Sequence, residues 1–156
     1  MSEATIRAVI KAVIDDVTDI GKTYNRYRFS NDSAALVTLA TTTIDGVKQV
    51  RAWMVEWLGI VESERIQMRR DDKTGLLRRH EFKVWGYQGF DDSRSTETIM
   101  SALTETVVNA LDDSDTLHDG ATYYDCTTAT APMSPVVWAG VLCHRSEITL
   151  QVTEFI

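Results

Sequence analysis

The chain has 156 residues but few of the residue types that hold small proteins together covalently or through metals: two cysteines, three histidines and two prolines. Cys126 and Cys143 have no CxxC or CxxH neighbour, which argues against a structural zinc site or a disulfide framework. A chain of this length can bury enough apolar surface to fold without such crosslinks. We therefore expect one reduced, intracellular domain spanning residues 1–156, with no metal and no cofactor.

Long apolar runs are also missing. No stretch approaches the roughly 20 apolar residues that cross a bilayer. The residues after Met1 do not form the charged and then apolar pattern of a secretion signal, and proline and glycine are too scarce for a low-complexity linker. The sequence therefore predicts a soluble protein with no membrane partner.

Basic residues are scarce in the last third of the chain. Residues 1–61 carry equal numbers of acidic and basic side chains, residues 62–90 carry a net charge of +2, and residues 91–156 carry −9, for a total of −7. Non-specific affinity for nucleic acid comes from neutralising phosphates with Lys and Arg. The charge distribution therefore disfavours a duplex-binding protein, although it is compatible with an acidic surface past which DNA slides.

Two segments have the apolar periodicity of amphipathic helices. The first, closing near Gly21, repeats apolar residues at helical spacing: Ile6, Val9, Ile10, Val13, Ile14 and Val17. The second runs from Thr96 to Leu111 and is apolar on one face. A brief helical stretch over residues 34–40 follows the capping residues at 31–33.

The remaining periodic segments predict strands: Val47 to about Val61, Arg78 to Phe90, residues 121–128, and residue 136 to the end as one strand or a hairpin broken near Arg145. Asp45 and Gly46 suit a tight hairpin turn, residues 22–29 suit a short strand or extended segment, and the polar stretch 62–77 suits a loop or hairpin tip. This order predicts an α+β fold, with an antiparallel or mixed sheet of about five strands packed by two main helices.

Two predicted strands carry large apolar side chains on both faces. Between residues 50 and 60, one parity holds Val50, Ala52, Met54, Leu58 and Ile60, and the other holds Arg51, Trp53, Val55 and Trp57; Trp85 and Tyr87 likewise oppose Phe82 and Val84. Two helices supply about one covering layer, whereas a sheet that is apolar on both faces needs two. We therefore predict that Trp53, Trp57, Trp85 and Tyr87 contribute to an interface with a partner protein.

A cluster of basic residues falls in and beside the predicted loop: Arg65, Arg69, Arg70, Lys73, Arg78 and Arg79. Acidic residues interrupt the cluster, which weakens a phosphate-binding interpretation. Contact with an acidic protein surface fits better, because the last third of this chain has the opposite charge. We predict that these six residues also belong to a protein interface.

Signatures of catalysis are absent. The chain has no GxSxG motif, and the aspartates 112, 113, 115 and 119 lack the spacing of an EF-hand. We therefore predict a protein that is not an enzyme and has no catalytic residue. The alternative from a different class is a small-ligand binding or hydrolytic α+β domain, with a pocket near His80, His144 and Tyr87.

Four stretches together resemble a family of small proteins of tailed bacteriophages and prophages, encoded among head-to-tail joining and tail genes. They are Gly21-Lys-Thr-Tyr-Asn-Arg-Tyr-Arg28, Arg51-Ala-Trp-Met-Val-Glu-Trp57, His80-Glu-Phe-Lys-Val-Trp-Gly-Tyr-Gln-Gly-Phe-Asp91 and Gly140-Val-Leu-Cys-His-Arg-Ser-Glu-Ile-Thr-Leu150. The family pattern has a basic residue where Trp57 stands. The order of elements also resembles the tail terminator fold, in which a sheet with two helices assembles into a hexameric ring.

The resemblance implies a structural protein of the virion, located in the tail or neck and assembled in the host cytoplasm. Its partners would be other copies of itself in a hexameric ring, the tail tube protein, and a head completion or stopper protein, with DNA passing through the ring without specific binding. The alternative within this class is another neck component, such as a stopper or tail completion protein. The basic cluster and the acidic last third would then pair between neighbouring subunits.

Overall fold

The computed structural model describes residues 3–67, 74–113, 117–118 and 124–155. Their helices and strands are α1 (Glu3–Asp15), β1 (Lys22–Tyr24), α2 (Ser33–Ala40), β2 (Thr41–Ile44), β3 (Val47–Gln67), β4 (Thr74–Gly89), α3 (Thr96–Asp112), β5 (Asp125–Thr130), β6 (Ser134–Trp138) and β7 (Val141–Phe155), with a 3₁₀ turn at Asp92–Arg94. The predicted α+β class is confirmed. The sheet is mixed and has seven strands, more than the five expected.

The long strands β3, β4 and β7 form the centre of the sheet, whose order is β1-β3-β4-β7-β5, with β2 paired to β3 and β6 paired to β7. β1 pairs in parallel and the other strand pairs are antiparallel. Asp45 and Gly46 have φ angles of 51° and 76°, so the tight turn predicted at this dipeptide joins β2 to β3. The final segment is a hairpin, but it turns at Ala139 and Gly140 rather than near Arg145.

Helices α1 and α3 cover one face of the sheet, here called the helix-side face. The apolar stripe predicted for α1 is confirmed, since Ile6, Ile10 and Ile14 are fully buried. They pack with residues of α3 and with the sheet residues Trp53, Val55, Phe82, Val84, Ile148, Leu150 and Val152. Side chains of this size contribute roughly 1.5–3 kcal/mol each when fully buried.

A second, smaller core lies on the opposite face, here called the α2-side face. It contains Leu36, Ala40, Val50, Ala52, Met54, Tyr87, Trp138 and Cys143. The chain therefore covers both faces of the sheet near β1 and β2, and the prediction of a single covering layer is wrong there. The covering layer that sequence periodicity understated is α2, which contributes Leu36 and Ala40 to this core.

The polar segment predicted as a loop over residues 62–77 is largely strand. β3 continues to Gln67 and β4 begins at Thr74, and the two strands pair along this stretch. The loop alternative is wrong, because exposed strands need no apolar alternation, whereas the hairpin alternative agrees with the pairing of β3 and β4 on both sides of residues 68–73. Of the predicted basic cluster, Arg69, Arg70 and Lys73 lie outside the described residues.

Gly86 allows a close approach between the sheet and α3. A Cβ atom at this position would lie 2.7 Å from Met100 Cε and 2.7 Å from Trp53 Cζ3. A Cβ at Gly89, three residues further along the chain, would meet Val50 at ordinary contact distances of 3.6–3.7 Å.

This difference predicts unequal costs for the same substitution. Gly86→Ala should lower the free energy of unfolding by roughly 1–3 kcal/mol, because the added methyl group overpacks a closed core. Gly89→Ala is the matched control and should change it by about 0.5 kcal/mol or less. Urea denaturation followed by circular dichroism measures both, and equal midpoints for the two variants would contradict the packing described here.

Candidate interaction surface

The outer half of β3 exposes four large apolar side chains, here called the β3 apolar band: Trp57, Leu58, Ile60 and Val61, with exposed fractions of 38%, 46%, 48% and 52%. Two irregularities in the pairing with β4 produce this band, one between residues 57 and 59 and one between 60 and 62. Trp57 lies opposite Phe82, and Ile60 lies opposite His80. Both residues therefore face the helix side, although simple alternation puts them on opposite faces.

The free edge of β3 adjoins the band. β1 pairs with residues 52–54, and beyond them no strand of the described ranges lies against the edge of β3 that faces away from β4. Bulges and charged side chains such as Glu62 and Glu64 are the features that discourage addition of another strand to an edge. The band is therefore better suited to side-chain contacts than to backbone pairing.

A buried polar pair supports the band from below. His80 Nε2 lies 3.1 Å from Glu154 Oε2, and the exposed fractions of these residues are 2% and 0%. The rings of Trp57 and Phe82 lie 6.5 Å and 6.2 Å from the His80 ring. Removing one member of such a pair leaves a buried polar group without its partner, so the pair holds the strands under Trp57 in a fixed arrangement.

Trp53 and Tyr87, predicted as interface residues, are core residues instead. Trp53 is fully buried on the helix-side face, and Tyr87 is 3% exposed on the α2-side face. The Tyr87 ring stacks on Trp138 with centroids 4.9 Å apart, and its hydroxyl lies 2.9 Å from that of Tyr27. Burial raises the pKa of Tyr87 well above the usual value for tyrosine.

Trp85 is half-buried, and its ring is engaged within the chain. Its Nε1 donates a hydrogen bond of 2.8 Å to Glu56 Oε2. Lys83 Nζ and Arg145 Cζ lie 5.1 Å and 5.5 Å from the ring, within the range of cation–π contacts. Of the four aromatic residues predicted for the interface, Trp57 is therefore the most available to a partner.

Three residues of the predicted basic cluster lie on the same hairpin as the band, two of them, Arg65 and Arg78, on the helix-side face. Arg65 is exposed near the end of β3, and Arg78 and Arg79 are half-buried on β4. Arg79 forms an ion pair with Glu62. The long β3–β4 hairpin thus combines an apolar surface with basic side chains. The sequence analysis had placed the apolar residues on a strand and the basic residues in or beside a loop.

A second exposed apolar surface, here called the end patch, was not predicted from the sequence. It consists of Phe90, Val137 and Leu142, with exposed fractions of 40%, 69% and 48%. The Phe90 N–H donates a hydrogen bond of 2.9 Å to the Leu142 carbonyl, and Val137 pairs with Leu142 across the β6–β7 hairpin. The sequence did not distinguish these three residues from core residues, because apolar side chains in predicted strands are usually buried.

Arg51 was also not singled out from the sequence. Its side chain is 4% exposed and donates hydrogen bonds to Gln88 Oε1 at 2.5 Å, Asp19 O at 2.7 Å and Gln49 Oε1 at 3.0 Å. Burial lowers the pKa of Arg51 below its usual value. These bonds fix the turn after α1 against the sheet, which is a structural role.

The alternative pocket near His80, His144 and Tyr87 is not assembled. His80 and His144 are opposite Val152 and Gln88, so eight residues of β4 separate their positions, a distance of roughly 26 Å. Tyr87 belongs to the core on the other face. His144 instead bonds Thr96 Oγ1 at 3.1 Å and stacks on Phe90.

Cysteine and acidic side chains give no sign of a metal site. Cys126 and Cys143 are free thiols, and burial raises their pKa values to about 12 and about 11. Within the described ranges no three His, Cys, Asp or Glu residues are grouped to hold a metal ion. Asp115 and Asp119 of the acidic segment lie outside those ranges.

No known protein-family model matches the chain, and no curated protein matches it significantly. None of the helices in the described part of the chain is long and apolar enough to cross a membrane. The exposed surfaces themselves therefore carry the functional proposal.

The contrast between two tryptophans of β3 is testable. Trp57→Ala should lower the free energy of unfolding by about 1–2 kcal/mol, because 38% of this residue is already exposed to water and less apolar surface is lost than at a buried position. Trp53→Ala should cost roughly 3–5 kcal/mol through loss of a buried indole. Urea denaturation measures both, and iodide quenching of wild-type fluorescence should lose its most accessible component in Trp57→Ala. An unchanged quenching profile would show that Trp57 is not exposed.

Proposed function

We propose that the protein is a self-assembling structural component of a tailed-phage virion, a tail terminator whose ring caps the tail tube and joins it to the neck proteins. The observation that carries this proposal is the β3 apolar band. Residues 50–55 of β3 pack into or against the two cores of the same chain, whereas these four side chains lie at the surface. A contiguous apolar patch on an otherwise folded domain is typical of a protein interface.

The small size of the band suits an assembly in which the same contact occurs once between each pair of neighbouring subunits. Full burial of a large apolar side chain is worth roughly 1.5–3 kcal/mol, so covering the exposed half of four such side chains would contribute a few kcal/mol before the cost of association. One such contact is weak. In a closed ring each subunit makes two contacts, and closure stabilises the whole assembly.

The charge of the α2-side face supports passage of DNA without binding. Glu56, Glu62, Glu64, Glu81 and Glu147 share this face with Arg79, Lys83 and Arg145, according to the strand register. Lys83 and Arg79 form ion pairs with Glu147 and Glu62. Among these eight side chains acidic residues outnumber basic ones by five to three, whereas Lys22 and Lys48 lie on the same face near β1 and β2. The negative stretch formed by β3, β4 and β7 is therefore the part of this face that would line the channel of the ring without holding phosphates.

The ring predicts a sixfold particle mass by native mass spectrometry, either for the protein alone at high concentration or after addition of tail tube protein. Ile60→Glu should weaken assembly by at least about tenfold, because a carboxylate replaces apolar contact area. Phe29→Glu is the matched control, since Phe29 is 80% exposed elsewhere on the surface, and should assemble normally. A strictly monomeric wild-type protein under both conditions would contradict the proposal.

The basic cluster offers a separate prediction. Reversing both Arg69 and Arg70 to glutamate should weaken assembly, because these residues are expected to face acidic side chains of another subunit. Thermal unfolding of the isolated subunit should not change. An unaltered assembly titration would refute the role of this pair, and lower stability without an assembly defect would indicate a role in folding.

The biological role is tested by virions that lack this protein. A tail terminator stops growth of the tube, so electron microscopy should show overlong tubes. Tubes of normal length that fail to attach to heads would instead favour the alternative role as a stopper or another neck component.

A further inference from the structure

We infer that the β3 apolar band of one copy of this chain docks onto the end patch of the next copy, so that the subunits associate head to tail. This inference rests on the proposed ring. It identifies both halves of the contact: Trp57, Leu58, Ile60 and Val61 on one subunit, and Phe90, Val137 and Leu142 on its neighbour.

The two surfaces are placed so that they cannot meet within one subunit. Trp57 lies opposite Phe82, and the end patch begins at Phe90. Eight residues of nearly straight chain separate the two positions, a distance of roughly 26 Å. Both surfaces lie on the helix-side face, at opposite ends of the sheet. A contact between them therefore joins two copies, and the pair keeps one free patch on the first copy and one free band on the second for further neighbours.

The end patch has a recess that suits a protruding side chain. A cavity of about 230 Å³ adjoins Phe90 and is lined by Met133, Pro135 and His144, with Glu97 and Ser134 at its polar side. One water molecule takes up about 30 Å³ in the liquid, so the recess admits an apolar side chain such as that of Ile60. By contrast, the band consists of side chains that project from a bulged strand.

The recess is also held in place before any partner arrives. His144 is 5% exposed, its ring stacks on Phe90 with centroids 4.1 Å apart, and its Nε2 lies 3.1 Å from Thr96 Oγ1. The backbone bond from Phe90 to Leu142 fixes the other side of the patch. A preformed surface loses little conformational freedom on binding, which favours association.

Charge favours contact between unlike surfaces. Arg65 and Arg78 lie on the helix-side face beside the band, opposite Leu76 and Ser63, whereas Arg79 lies on the other face, where it is paired with Glu62. Acidic residues flank the end patch, namely Asp91, Asp92 and Glu97, with one nearby arginine, Arg94. Pairing a band with a patch brings opposite charges together, whereas pairing a band with a second band brings arginines together. Such repulsion selects the head-to-tail arrangement over a two-fold dimer.

Disulfide trapping between two single-cysteine variants tests the contact. Ile60→Cys and Val137→Cys would be purified separately, mixed, and oxidised under mild conditions near neutral pH. The native thiols have raised pKa values and should stay unreactive, because the thiolate is the attacking species. We expect a disulfide-linked dimer containing one copy of each variant. A chain carrying both substitutions should give a ladder of species that ends at the hexamer.

The control replaces Ile60→Cys with Phe29→Cys, a cysteine at an 80% exposed position that is not part of the band, which should not crosslink to Val137→Cys above background. Crosslinked dimers of Ile60→Cys alone would overturn the inference in favour of a two-fold contact. A sixfold particle without crosslinks would also overturn it while leaving the ring intact. Absence of any assembled particle would overturn the ring and this contact together.

Charge complementation provides an independent check that does not depend on oxidation. Val137→Asp and Ile60→Lys should each weaken assembly by about tenfold or more when tested alone. The protein carrying both substitutions should recover much of the loss, because the new charges face each other across the contact. Additive losses in the double variant would show that the two residues do not meet.

Discussion

The structure depends on the pairing of β3, β4 and β7 into a sheet that is apolar on both faces. At one end of this sheet, α1 and α3 cover one face and α2 covers the other, so Trp53 and Tyr87 are buried back to back in two cores. Towards the other end the strands extend beyond these helices, so the apolar side chains that continue along β3 are exposed at the surface. The exposed band is therefore a direct consequence of strand length exceeding helix coverage.

The bulges in β3 give this surface its composition. A regular strand would direct Trp57 and Ile60 to opposite faces, and each would be an isolated apolar residue, which is common on protein surfaces. The two irregularities shift the register so that both residues face the helix side, next to the bulge residues Leu58 and Val61. Bulges also bend a strand and interrupt its free edge. The bulges in β3 thus place apolar side chains next to one another and also discourage another chain from pairing with the free edge of the strand.

The buried polar groups mark the places where the fold is fixed most specifically. Arg51 binds the turn after α1 to the sheet through Gln88 and Gln49, and His80 pairs with Glu154 beneath Trp57. Both groups are buried, with Arg51 4% and His80 2% exposed, so each acts on the chain segments that it joins. One group lies at each end of the part of the sheet that the helices cover. These positions suit a subunit in which the β3 apolar band and the end patch are held at a fixed distance from each other.

The sequence by itself determined the α+β class, the amphipathic helices α1 and α3, the turn at Asp45 and Gly46, and the strands rich in large apolar residues. These features follow from local periodicity and backbone preference, which neighbouring residues decide. The tertiary structure alone decided which tryptophan is exposed, because Trp53 and Trp57 have the same parity and differ in whether a helix lies above them. It also decided that Phe90, Val137 and Leu142 form one surface, since strand register, which the linear pattern does not encode, brings three distant segments together.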